Sequence, residues 1–125
     1  MELNTPQSYI LYLLGLIFEE FEKQQAGKPL LLALTKSDFI KIARRANLVS
    51  KQERAVYKNL ETLEKDKLIN YDNQSLALTR KGYAVFAQMT KRIAPYVRLT
   101  LTITSENLLS YARKVQTRFA FHHKP

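Results

Sequence analysis

The sequence contains no cysteine and no tryptophan among its 125 residues, and only three glycines. Without cysteine there is no disulfide framework, no thiolate metal site, no iron–sulfur cluster and no cysteine nucleophile. The glycines are isolated, so no glycine-rich loop can cradle a phosphate. The two histidines, His122 and His123, are adjacent near the end of the chain, which argues against a metal site and against a Ser-His-Asp triad. We therefore expect neither an enzyme nor a bound cofactor or metal.

Long apolar runs are also scarce. The best candidate, residues 9–18, has ten residues, whereas a membrane span needs about 20. The first eight residues contain Glu2 and no Lys or Arg, unlike the start of a signal peptide. We therefore expect a soluble protein without a membrane partner, located in the cytoplasm with the nucleoid. A chain of this length fits a single domain, 1–125.

Acidic residues are few: the sequence has 11 Asp and Glu and 20 Lys and Arg, which gives a net charge of +9. With 46% apolar and 25% charged residues, the composition is that of a globular protein. An excess of cations favours a partner that carries phosphates. The charge is uneven, because residues 1–25 sum to −3 and the remainder to +12. The first segment is therefore expected to face away from nucleic acid.

Capping signals divide the first half of the chain into three helices. Thr5 and Pro6 predict a helix over 6–23 that is apolar on nearly every side, which favours a second subunit to cover it. A loop follows, and residues 30–34 are expected to form a short buried strand or extended segment. Thr35 begins a second helix that Asn47 is expected to end in a left-handed conformation.

The third helix has the clearest start, a Ser-x-x-Glu capping box over 50–53. Steps of 100° per residue place Val56, Leu60 and Leu63 on one side of it. Arg54, Lys58 and Lys65 fall on the opposite side. The helix is therefore expected to bury aliphatic side chains and to expose cations.

The second half of the sequence predicts a hairpin, a helix, a strand and a helix. Runs over 68–71 and 76–79 flank a turn-rich quartet, 72–75, which suits a four-residue hairpin loop. A helix over 81–93 should stop at Pro95. Strict alternation of apolar and polar residues over 97–104 predicts a strand. Ser105 predicts the start of a final helix that runs to about 119.

The predicted order of helices and strands, together with two short sequence motifs, resembles that of the winged helix-turn-helix proteins. Residues 60–69, Leu-Glu-Thr-Leu-Glu-Lys-Asp-Lys-Leu-Ile, look like the end of the recognition helix in MarR-type and related small transcriptional regulators. Residues 78–82, Leu-Thr-Arg-Lys-Gly, look like the motif that follows their wing. The fold expected is mainly α with a small β-hairpin wing, plus a C-terminal strand and helix, with the winged-helix core at 30–94.

The resemblance implies that the helix at 50–66 enters the major groove of double-stranded DNA. Arg54 and Gln52 are the candidates for base contacts, because an Arg fork matches guanine and a Gln amide matches adenine. The other candidates would meet phosphates or flank the helix: Lys36, Lys41, Arg44, Arg45, Lys51, Tyr57, Lys58, Arg80 and Lys81. The hairpin tip carries Asp72 where many wings carry Arg or Lys, which argues against deep minor-groove insertion.

These features favour a sequence-specific transcriptional regulator that acts as a homodimer, with repression as the default. Residues 1–25 and 95–121 are the expected dimerisation elements. Two alternatives stay open, namely a chromatin, replication or plasmid-maintenance protein that binds DNA without sequence preference, and a winged-helix protein-interaction module. A small-molecule effector is compatible with the sequence, which names none.

Overall fold

The computed structural model describes residues 3–25, 32–48 and 53–112. The chain divides into two compact units, Met1–Lys91 and Arg92–Pro125; the single-domain assignment stays a prediction. The described part is mainly helical with one small antiparallel hairpin, as predicted, and its order is compatible with a winged-helix layout. The elements are α1 (Thr5–Gln24), α2 (Lys36–Arg45), α3 (Glu53–Lys65), β1 (Ile69–Asp72), β2 (Ser75–Leu78), α4 (Arg80–Ser105) and a 3-10 helix (Leu108–Tyr111).

Helix α1 begins one residue earlier than predicted. Asn4, not Thr5, is its N-cap, and the Asn4 side chain accepts a hydrogen bond of 2.9 Å from the Gln7 amide. The Gln7 side chain accepts one of 3.2 Å from the Asn4 amide in return, which completes a capping box. The helix buries Ile10, Leu11, Leu14, Gly15 and Ile17. Tyr9 and Leu16 on the other side are exposed.

Helix α2 begins and ends where the sequence predicts. The Thr35 hydroxyl accepts a hydrogen bond of 3.0 Å from the Asp38 amide, which satisfies a free donor of the first turn. Asn47 has a φ of 62°, and the next amide, that of Leu48, donates to the Ala43 carbonyl at 2.8 Å. This Schellman geometry turns Leu48 back toward the core.

Helix α3 and the hairpin complete the core of the first unit. The predicted apolar face of α3 is buried, and Lys67, with a φ of 63°, ends the helix. The hairpin pairs Asp72 with Ser75, so the predicted four-residue loop is wrong. Asn73 and Gln74 alone form the turn, both with positive φ, as in a type I′ turn.

Only one backbone hydrogen bond joins the predicted extended segment 30–34 to the hairpin in the described residues. The Leu76 amide donates to the Leu34 carbonyl at 2.7 Å. Residues 32–34 are not a strand, and residues 30 and 31 lie outside the described residues. The largest fully buried side chains of the core are Phe39, Leu11, Leu14, Leu60, Leu63, Leu68, Ile69 and Leu76.

The predicted strand over 97–104 is wrong, because these residues belong to helix α4, which continues through Pro95. The Thr100 hydroxyl donates to the Tyr96 carbonyl four residues earlier at 3.0 Å, a contact that helical geometry provides. Proline's φ of about −65° suits a helix, and its missing N–H removes one hydrogen bond without requiring the helix to end.

The C-terminal helix predicted from Ser105 is also wrong in its described part. The chain leaves α4 at Ser105 and forms a single 3-10 helix, Leu108–Tyr111. Residues 113–125, including His122 and His123, lie outside the described residues.

The second unit exposes many large apolar side chains in its described part. Leu99 is 64% exposed and Leu101 is 63% exposed. The other exposed ones are Tyr96, Val97, Ile103, Leu108, Leu109 and Tyr111. No helix within the described ranges is long and apolar enough to cross a membrane.

Candidate nucleic-acid interface

A salt bridge joins α2 to α3. The Arg44 guanidinium in the last turn of α2 contacts the Glu53 carboxylate in the first turn of α3. The two side chains are 56% and 42% exposed, so water screens the pair and its stabilisation is at most about 1 kcal/mol. The pair links the end of α2 to the start of α3, and it gives Arg44 an acidic partner within the protein.

The outer face of α3 carries a row of cations. Steps of 100° place Arg54, Lys58 and Lys65 within about 40° of one another, opposite the buried face. All three are exposed, and none of them forms a salt bridge with another described residue. At 1.5 Å per residue the row is about 16 Å long. Glu61 lies on the same face and is the one acid within it.

Two further predicted residues flank this row. Tyr57 is 37% exposed and lies between the buried and the cationic faces of α3. Arg45, the last residue of α2, is exposed and has no salt bridge among the described residues. Unlike its neighbour Arg44, it is therefore unneutralised in the described structure.

Three other predicted cations have partners within the protein. The Lys36 ammonium lies 4.2 Å from the centre of the Tyr71 ring, a cation–π contact between α2 and the hairpin. Lys41 lies 3.8 Å from the Asp38 carboxylate on its own helix. Lys81 donates a hydrogen bond of 3.4 Å to the carbonyl of Asp66, after the end of α3. Each of these three charges therefore already interacts with a group of the protein before any ligand binds.

The Thr and Gly of the motif at 78–82 hold the base of the hairpin. The Thr79 hydroxyl donates to the Lys67 carbonyl at 2.7 Å and accepts from the Gly82 amide at 2.9 Å. A Cβ at Gly82 would lie only 2.0 Å from the Leu68 carbonyl oxygen. These residues are therefore structural, while Arg80 between them is exposed at the start of α4.

The hairpin tip is exposed and carries one acid. Asp72, Asn73 and Gln74 are exposed, and Ser75 is partly buried. The tip can offer amide and carboxylate groups, and it has no cation. The expectation that this tip does not enter the minor groove deeply stays a prediction.

Two predicted residues, Lys51 and Gln52, lie outside the described residues. The salt bridge of Glu53 with Arg44 was not predicted, because the Ser-x-x-Glu pattern assigns Glu53 to the capping box alone. No local pattern indicates this pair, because Arg44 and Glu53 are nine residues apart and belong to different helices. Comparison with protein-family models, with curated proteins and with solved structures gave no match.

Proposed function

We propose that the protein is a sequence-specific regulator of the winged-helix type that binds double-stranded DNA and represses transcription as a homodimer. The observation that carries the proposal is the row of Arg54, Lys58 and Lys65 on the outer face of α3. The side chains opposite this row form the core, so the row can meet a ligand without any loss of packing.

Helix α3 has the dimensions for the major groove, which is about 12 Å wide and admits one helix. Arg54 lies near the N-terminal end of α3, the end that reads base edges when a recognition helix docks. An arginine fork there matches guanine. Lys58 and Lys65 follow along the same face and would meet phosphates, which orient the protein without reading sequence.

The intramolecular partners limit how many cations remain for phosphates. Arg44 and Lys41 each have an acidic partner, whereas Arg45, Lys58 and Lys65 have none among the described residues. Three phosphate contacts per protomer give a slope of log affinity against log salt of about −3. A slope near −4.5 per protomer, the value for five phosphate contacts, would mean that both salt bridges open on binding.

The second unit supports the homodimer. On α4, Val97 and Leu101 fall on one side, while Tyr96, Leu99 and Ile103 fall on another, about 150° away. Apolar side chains exposed on two sides of a helix are stabilised by burial, and a second copy would supply the covering surface. Two copies would place two α3 helices on half-sites about one turn of DNA apart.

The dimer is tested by Leu99→Glu and Leu101→Glu, with the exposed Thr102→Glu as the control, which lies in the wider arc between the two sets of apolar side chains. Sedimentation should give a monomer for at least one leucine variant and a dimer for the control. A native chain that sediments as a monomer at micromolar concentration would refute the dimer.

DNA binding is tested by fluorescence anisotropy with a random duplex and with a duplex enriched by selection, each at two salt concentrations. Arg54→Ala should weaken binding to the selected duplex by about tenfold or more, and binding to the random duplex less. Arg45→Ala should weaken both alike.

The matched control is Lys23→Ala, which removes the same charge from α1, where acids dominate. It should leave both affinities within about twofold. Equal binding of the two duplexes by the native chain would identify a DNA-binding protein without sequence preference. Absence of binding at low salt would refute DNA binding and favour a protein-interaction module.

A further inference from the structure

A groove lies between α1 and α4 within the first unit. Its volume is about 390 Å³, within the range of small-molecule sites. It is lined by Glu19, Glu22, Tyr83, Phe86, Ala87 and Thr90. None of these residues belongs to α3, whose outer face is proposed to contact DNA.

The floor of the groove depends on a close approach of the two helices. A Cβ at Gly15 of α1 would lie 2.3 Å from the Phe86 ring of α4, so only glycine leaves room for the ring there. The Phe86 ring is buried and packs against Tyr12, with ring centres 5.5 Å apart. Tyr83, 43% exposed, offers a second aromatic ring to a ligand in the groove.

Both carboxylates of the groove lack a cationic partner in the described structure. Glu19 and Glu22 form no salt bridge there, whereas Glu20 between them pairs with Lys23 at 4.0 Å. No Lys or Arg lines the groove, although the whole chain carries +9. An excess of negative charge is therefore concentrated beside an aromatic surface.

The pKa values of the two tyrosines respond to these carboxylates. Burial raises the pKa of Tyr83, and the charge of Glu22 raises it further. Burial likewise raises the pKa of Tyr12, with a smaller effect from Glu19. Both rings thus stay neutral near pH 7, and each glutamate is close enough to influence one of them.

We propose that this groove binds a small organic monocation with a flat apolar body, such as an arylalkyl ammonium ion. The apolar body would pack on Phe86 and Ala87, and the cation would lie between the two carboxylates and over the Tyr83 ring. Aromatic faces attract cations, and the carboxylates repel anions. The proposal goes beyond DNA binding and does not depend on it.

The test is a calorimetric titration of the full chain with benzyltrimethylammonium, with benzyl alcohol and phenylacetate as the neutral and anionic comparators. The cation should bind saturably with a dissociation constant below about 10 mM, and at least tenfold more tightly than either comparator. Glu22→Gln should weaken its binding about fivefold, and Tyr83→Leu about threefold.

The matched control is Glu20→Gln, which removes the same charge from the same helix outside the groove. It should change the dissociation constant by less than about twofold, because exposed charges at a distance are screened. Circular dichroism of each variant checks that the helices remain.

Three results would overturn the proposal: no saturable binding of the cation, equal binding of cation and neutral comparator, or equal effects of Glu20→Gln and Glu22→Gln. If a second copy covers the groove instead, Glu22→Gln should change the sedimentation mass and benzyltrimethylammonium should not bind. Because the titration contains no DNA, a failure of the proposed DNA binding leaves its result unaffected.

Discussion

Replacement of Gly82 by alanine tests the contact between the first turn of α4 and the base of the hairpin. The new Cβ would lie 2.0 Å from the Leu68 carbonyl oxygen, whereas a carbon–oxygen contact needs about 3.3 Å. The same oxygen accepts a hydrogen bond of 3.1 Å from the Thr79 amide, so a shift of more than about 1 Å also breaks that bond. Overpacking of about 2 kcal/mol and a hydrogen bond of about 1 kcal/mol together lower the free energy of unfolding by about 3 kcal/mol.

The assay is urea denaturation followed by circular dichroism, with Ala84→Ser as the control. Ala84 is exposed on the same helix, so one added atom there should change the free energy of unfolding by less than about 0.5 kcal/mol. The melting temperature of Gly82→Ala should fall by about 10 °C. A Gly82→Ala protein as stable as the control would refute the close contact.

Three further predictions concern caps, charges and titration. Glu53→Gln should lower the free energy of unfolding by at most about 1 kcal/mol. Because Arg44 loses its acidic partner, the same change should strengthen binding to the random duplex, measured by fluorescence anisotropy. Weaker binding would contradict this. Thr35→Ala should cost about 1 kcal/mol in urea denaturation, since α2 loses its N-cap; an unchanged midpoint would contradict the cap. Because the folded state raises the Tyr83 pKa, the stability that this group contributes is complete below about pH 10 and is lost as pH rises through the raised pKa. In a spectrophotometric titration Glu22→Gln should lower that pKa toward the usual value, and no change would contradict the proximity of the two groups.

Local signals predicted most of the first unit correctly. The side chain of Thr35 caps α2 and Asn47 ends it, because both effects depend on residues within one turn of the cap. Leu60 and Leu63 are buried as their spacing predicts. The predicted start of α1 is one residue too late, because Asn4 and Thr5 are both good caps and the sequence does not decide between them.

The second half of α4 shows where a local pattern misleads. Alternation over 97–104 has the period of a strand, yet the same residues form two apolar stripes on a helix. Pro95 added to the error, since the rule that proline ends a helix describes a cost and not a prohibition. The period of the alternation alone therefore does not decide between the two structures.

For the candidate sites too, some features could be predicted from the sequence and others could not. Helical periodicity alone places Arg54 and Lys58 on the outer face of α3. The pairing of Arg44 with Glu53 and the approach of Phe86 to Gly15 join residues of different helices. Such contacts depend on the tertiary arrangement, which one sequence without its fold does not specify.

The bonds of Thr79 have a mechanical consequence. Its hydroxyl links the Lys67 carbonyl, just after α3, to the Gly82 amide in the first turn of α4, and its own amide is bonded to the Leu68 carbonyl. A rotation of the first turn of α4 is therefore transmitted to the hairpin base and to the end of α3, because no free linker separates them. We therefore expect α3, the hairpin base and the first turn of α4 to move together, and their amide protons to exchange at similar rates.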